Sequence, residues 1–196
     1  MTTNSPLEAI MNARHSVRQY DGQTKIGREE MAAMLQTAFL APTALNQQPI
    51  RALVIEDAAL RQRLCAATGN TSQLTTASAV VLFVLDRENQ HQAPAFQASQ
   101  GQQFDTGDET IGALDAGLIA MQFMLVAKDH GFDTNPMTGF DAAGFTSILE
   151  LDAQRYRPLL LVSIGKAAVA GKPADHQPLA TLVIIDNIEG KLEREF

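Results

Sequence analysis

Apolar residues return at helical spacing near the start of the chain. Leu7, Ile10 and Met11 share one face of residues 5–13, and Asn4 or Ser5 ahead of Pro6 supplies a cap, so the first element is a short helix. Met31, Met34, Leu35, Ala38 and Phe39 mark a second helix over residues 28–40, which Pro42 halts. Leu53, Val54 and Ile55 predict a strand from Arg51 to Glu56, and Leu60 and Leu64 predict a helix over 57–67, followed by a turn at Gly69-Asn70. The run from Ala79 to Leu85 is apolar without alternation. That is the pattern of a strand covered on both faces, and it belongs in the middle of a sheet.

Between Asp86 and Asp108 the chain turns polar, rich in Gln and Asn, with Pro94, Gly101 and Gly107. A mobile loop or short helices are expected there, either a lid or a solvated excursion, with Phe96 and Phe104 as candidate substrate contacts. Thr110 to His130 is the longest helical segment. Ile111, Leu114, Leu118, Met121 and Leu125 line one face, while Ala113, Ala116, Ala120, Met124 and Ala127 make the opposite face apolar too, which requires burial on nearly every side. Asp115 and Gln122 interrupt the run and Lys128, Asp129 and His130 close it, which favours a core or subunit interface over a membrane span. Gly131 ends the helix. A loop through Pro136 and Gly139, a helix over 141–150, a strand from Pro158 to Ile164, a Gly/Pro-containing connection from Gly165 to Pro178 and an extended stretch from Thr181 to Ile185 complete the reading.

A length of 196 residues with 45% hydrophobic content fits a single domain, 1–196, with a sizeable core. The 15 basic and 22 acidic side chains give a net charge of −7 with no basic block, which argues against a nucleic-acid partner. The polar Met1–Pro6 start lacks the features of a secretory signal, so a cytoplasmic location with no membrane is expected. Cys65 stands alone, leaving no disulfide to form within the chain, and reads as structural. Neither G-x-G-x-x-G nor a P-loop occurs, zinc-ligand spacing is absent, and Ser163-Ile164-Gly165 lacks the first glycine of a nucleophile elbow.

Three polar pieces lie in turns between the apolar elements. In Arg14-His15-Ser16-Val17-Arg18-Gln19-Tyr20, two arginines four apart flank a hydroxyl, a set suited to an anionic ligand, although an exposed basic turn is the commoner meaning of such a heptad taken by itself. Ala41-Pro42-Thr43-Ala44-Leu45-Asn46-Gln47-Gln48-Pro49 follows a helix end with hydrogen-bonding side chains and reads on its own as a capped loop. In Asn135-Pro136-Met137-Thr138-Gly139-Phe140-Asp141, Gly139 permits close backbone approach to a ligand and Asp141 can cap the next helix.

Together, in this order, the three pieces resemble the nitroreductase family of FMN-dependent oxidoreductases. That family typically shows Arg-Arg/His-Ser-x-Arg/Lys-x-Tyr/Phe, then Ala-Pro-Ser/Thr-x-x-Asn-x-Gln-Pro, then Pro-Ile/Met-x-Gly-Phe-Asp/Asn. The resemblance covers nearly the whole chain. It implies an α+β fold with a central mixed sheet flanked by helices, a long buried interface helix, and an intertwined homodimer holding two FMN at the subunit interface. It also implies roles: Arg14 and Ser16, with His15 beside them, at the phosphate and ribityl end of FMN; Arg18 at the N1 and O2 edge of the ring, where a fixed cation raises the reduction potential. Asn70, with Gln73 as neighbour, would read the pyrimidine edge. Pro42, Thr43, Ala44 and Asn46 would come from the other subunit. Pro136, Met137, Thr138 and Gly139 would face N5, with the backbone N–H of Thr138 or Gly139 directed at it. Arg18 and Thr138 are thus the catalytic candidates. The implied reaction is ping-pong hydride transfer from NADH or NADPH, through N5, to a small-molecule acceptor such as a nitroaromatic or quinone.

The chain departs from the family pattern in places. Where many members have an Arg before the last strand, His176-Gln177-Pro178 stands here, and Lys172 is the substitute candidate for holding the phosphate. Ile50 replaces a frequent aromatic, and Thr138 stands where some members have Glu. A flavin-binding storage or regulatory protein with little turnover, or a specialised flavin dehydrogenase on the same scaffold, is the alternative reading. The preferred nicotinamide and the acceptor are not written in the sequence.

Overall fold

The structure, a computed structural model, describes residues 5–88 and 108–183. Most of the expected loop between Asp86 and Asp108, with Phe96 and Phe104, lies outside these residues. The helices are α1 (Pro6–Ala13), α2 (Arg28–Ala38), α3 (Ala58–Leu64), α4 (Thr71–Thr76), α5 (Glu109–Asp129), α6 (Ala142–Ile148) and α7 (Leu179–Leu182), and the strands are β1 (Ile50–Ile55), β2 (Ala79–Asp86), β3 (Asp133–Met137) and β4 (Tyr156–Gly165). The sheet runs in the order β1-β2-β4-β3.

All eight residues of β2 are buried, as its unbroken apolar run requires. Val81, Phe83 and Leu85 point into one core with α2 and α5, while Val80, Leu82 and Val84 point into a second core with Leu64, Leu74 and Phe145 from α3, α4 and α6. Helices therefore cover both faces of the sheet, giving three layers. The expected mixed sheet is, among the described residues, antiparallel in every strand pairing, and the one parallel contact is the isolated bridge between Ser16 and Thr134.

Helix α5 begins on Asp108, whose side chain accepts from the N–H groups of Thr110 and Ile111. It ends at Gly131, whose φ of +75° lets Phe132 N–H reach back to Ala127 O and Gly131 N–H to Lys128 O. By length and composition α5 could cross a membrane. Here it packs on α2 and on the sheet, burying Ala116, Ile119, Ala120, Phe123 and Ala127. Among the described residues its other apolar face is left uncovered: Leu114 is 66% exposed and Leu118 50%, beside Met121.

Two elements appear where none is expected. Residues 133–137 form β3 despite Pro136, because the strand lies outermost in the sheet, where a missing N–H interrupts no ladder. Thr71–Thr76 forms α4 from poor helix formers, held by tertiary contacts: Leu74 is fully buried, and the buried guanidinium of Arg61 donates to the carbonyls of Leu74 and Ala77. In place of an extended stretch at Thr181, the chain makes the helical turn α7, with Thr181 N–H bonded to Pro178 O; Ile184 and Ile185 lie outside the described residues.

At the end of β2 the buried Asp86 carboxylate takes Arg155 through Nε at 2.9 Å and Nη2 at 3.1 Å, and Arg51 at 3.2 Å. Arg155, and less strongly Arg51, holds this carboxyl below the usual carboxylate range against the opposing effect of burial. A depressed folded-state pKa contributes stability that is present above the unfolded value and lost as pH falls below it. Asp86→Asn is expected to lower stability at pH 7 by about 2 kcal/mol. Urea melts should show the gap from wild type closing as pH drops below about 4.

Candidate functional site

Three of the sequence's polar segments meet along the β3 side of the sheet. After α1 the chain runs beside β3, with Val17 N–H bonded to Thr134 O, and Tyr20 buried with its hydroxyl on Ser163. Burial raises the Tyr20 pKa, so it stays a neutral anchor. Val17 and Tyr20 point inward and Arg18 is exposed between them; Arg14, His15 and Ser16 are half-buried. Burial of Val17 and Tyr20 leaves Arg18 on the outside. Gly171 packs against this segment so closely that a Cβ there would stand 2.7 Å from His15 Cβ and 3.1 Å from Ser16 O, and Lys172 is the next residue along the chain. His176, five residues from Gly171, is exposed, as is Lys172.

The second segment is the turn into α4. Ser72 Oγ donates to Arg18 O at 3.1 Å, fixing the backbone that carries Arg18. Asn70 Nδ2 donates to Thr68 Oγ1 at 2.9 Å and to Gly139 O at 3.1 Å, and its Oδ1 accepts from Gln73 Nε2. Thr68 Oγ1 also donates to Gly139 O, at 2.7 Å. Asn70 and Gln73 are thus bound into the chain's own network, and two donors clamp the Gly139 carbonyl.

The third segment is the turn after β3. Pro136 is half-buried and Met137 buried on the sheet, while Thr138 and Gly139 are exposed. Asp141 caps α6 as expected, accepting from Ala143 N–H, and its own N–H bonds Ala67 O. The turn is therefore rigid on both sides, with its outer edge open. A cavity of 340 Å³ beside it is lined by Thr138, Phe140, Glu109 and Arg157.

Pro42, Thr43, Ala44 and Asn46 are elsewhere. Their loop leads into β1, the opposite edge strand, so β2 and β4 separate it from β3 by three strand spacings, roughly 14 Å. The loop is tightly wound: Thr43 Oγ1 accepts from Gln48 N–H, Thr43 O from Asn46 N–H, and Gln48 Nε2 donates to Asn46 Oδ1. Leu45, Asn46 and Gln48 have φ of 52°, 54° and 52°. Left-handed conformations at residues other than glycine cost on the order of 1 kcal/mol each and persist only where the surroundings over-determine them. One restraint comes from α5, where Asp115 Oδ1 accepts from Ala44 N–H at 3.0 Å.

Nothing in the sequence pattern marks Thr68, Ser72 or Asp115 as functional. Asp115 leaves a trace, as a carboxylate inside an apolar helix; the two hydroxyls leave none, because their roles depend on contacts made across the fold. Asn70→Ala should leave Gly139 O with Thr68 alone, costing about 1 kcal/mol in urea denaturation, with faster amide exchange confined to residues 138–141.

Comparisons with known proteins find relatives over most of the chain. The Nitroreductase family model matches residues 11–166. YdgI of Bacillus subtilis (strain 168) is 36% identical over 206 residues, covering 92% of this chain and 97% of that protein. The CLA biosynthesis enone reductase of Lactiplantibacillus plantarum is 30% identical, covering 84% of this chain and 87% of that one. A structure from Exiguobacterium sibiricum 255-15, solved in complex with FMN, superposes with a TM-score of 0.84 at 31% identity, covering 94% of this chain and 99% of its own. With most of its length matched by the family model, by sequence relatives and by solved folds, the chain belongs to the nitroreductase family.

Proposed function

We propose that this protein is an FMN-dependent oxidoreductase that passes electrons from NADH or NADPH to small-molecule acceptors, and that a homodimer forms each flavin site. The observation that carries this reading is the meeting of the Arg14–Arg18 segment, the Asn70–Gln73 turn and the Pro136–Gly139 turn along one sheet edge. FMN combines a phosphate dianion, a ribityl chain and a ring that gains negative charge at N1 and O2 on reduction. The donor set suits it. Arg14, Ser16 and His15 would hold the phosphate end with Lys172, and His176 lies on the same connection. Arg18 would face the N1 and O2 edge. Thr138 and Gly139 would offer backbone N–H donors to N5, their turn kept in place by the clamp on Gly139 O.

When bound, FMN supplies the two-electron chemistry. The chain contributes charge, orientation and a dry surface, with no protein nucleophile. Pro42, Thr43, Ala44 and Asn46 of a second copy would close the site, since within one chain they stand at the far sheet edge. The exposed Leu114, Leu118 and Met121 of α5, with Leu7 and Met11 of α1, would supply the apolar contact between copies. Among acceptors, the likeness to an enone reductase adds activated alkenes to nitroaromatics and quinones.

The test is anaerobic. Purified protein should bind FMN and turn yellow, and NADH or NADPH should bleach it within a catalytic turnover time; an oxidised spectrum that persists would favour a storage role. Arg18→Ala should lower the flavin midpoint potential by about 30 mV, the two-electron equivalent of about 1.4 kcal/mol, while the fold is kept. An unchanged potential would remove Arg18 from the ring edge.

A further inference from the structure

Helix α5 carries no other charge between Glu109 and Lys128, yet it places Asp115 at 4% exposure in its second turn. Burying a carboxylate is costly unless a partner rewards it, and an apolar side chain would pack there without that cost. Asp115 Oδ1 accepts one hydrogen bond, from Ala44 N–H at 3.0 Å, and Oδ2 is buried with no hydrogen-bond partner among the described residues. The group it holds opens the 44–48 turn, where Leu45, Asn46 and Gln48 all take left-handed backbone conformations. Thr43 Oγ1, Asn46 and Gln48 bond one another inside the loop, and at its far end Asp86 N–H bonds Pro49 O and Arg51 bonds Gln48 O. Asp115 ties the near end to the long helix.

We infer that Asp115 is a positioning residue for the flavin site: through Ala44 N–H it holds the 43–48 loop in the wound shape in which that loop closes over the flavin of a second copy. This rests on the flavin reading above. What the loop needs from position 115 is an acceptor in a fixed place, not a charge. Burial pushes the Asp115 carboxyl up, with the Ala44 bond opposing, and since Ala44 N–H asks only for an oxygen at that place, an amide should serve there too.

The test uses Asp115→Leu, which keeps the volume and loses the acceptor, and Asp115→Asn, which keeps the acceptor; Asp115→Ala is a second acceptor-free variant should the Leu form not fold. Hydrogen exchange of the flavin-free protein reads the loop directly, and fluorescence titration with FMN reads the site. In the Leu or Ala variant the amides of residues 44–48 should exchange about tenfold faster and the FMN dissociation constant should rise about tenfold, the effect of one lost hydrogen bond at 1.4 kcal/mol per decade. Amides of β2 should exchange as in wild type, and Asp115→Asn should restore both readings. Unchanged exchange at 44–48, an Asn variant as loose as the Leu variant, or a loosened loop with unaltered FMN affinity would each overturn the proposal. Loosening in a protein whose wild type takes up no FMN would instead sink the flavin reading and leave Asp115 as an anchor alone.

Discussion

Helix α5 is apolar on two opposite faces, and the described residues of its own chain cover only one of them. The sheet and α2 take the side that carries Ala116, Ile119, Ala120, Phe123 and Ala127. Leu114, Leu118 and Met121 are left toward solvent, with Leu7 and Met11 of α1 exposed as well. Single exposed apolar residues are ordinary on a protein surface; a row of them along one helix is not. In the proposed account this imbalance drives a second copy onto the helix, and that copy brings the Pro42–Asn46 loop to a site it cannot reach within its own chain.

On the β3 side, the candidate site owes its shape to hydrogen bonds that spend side chains on backbone. Ser72 holds the carbonyl of Arg18, and Thr68 and Asn70 hold the carbonyl of Gly139. Each bond fixes a peptide next to a group with a proposed electrostatic task. Stabilisation of developing charge works best when the donors and charges are already in place, because no reorganisation is then needed during the reaction. On the other side the same logic applies to the left-handed turn at Leu45–Gln48, whose strain has to be met by restraints from outside it.

Much of this could be read from residues alone. The unbroken apolar run of β2 announced a strand with cores on both faces, and the double-faced pattern of α5 announced a helix of which the described residues cover one face. The three polar pieces carried the family. What escaped were elements made by their neighbours. β3 contains Thr134, Asn135 and Pro136 and becomes a strand because β4 and the Ser16–Val17 segment flank it. α4 is helical because Leu74 is buried and Arg61 gathers its carbonyls. The Thr68 and Asn70 clamp joins residues some seventy positions apart, a distance that local pattern cannot span.

Subunit complementation tests the shared site most directly. One variant would carry Arg14→Ala and Arg18→Ala, and a second would carry a disrupted Pro42–Asn46 loop; each alone should lose FMN. Refolded together, half of the mixed dimers' sites pair an intact arginine segment with an intact loop, and those sites should regain FMN and turnover. If mixing restores neither, both halves of the site belong to one chain and the account fails.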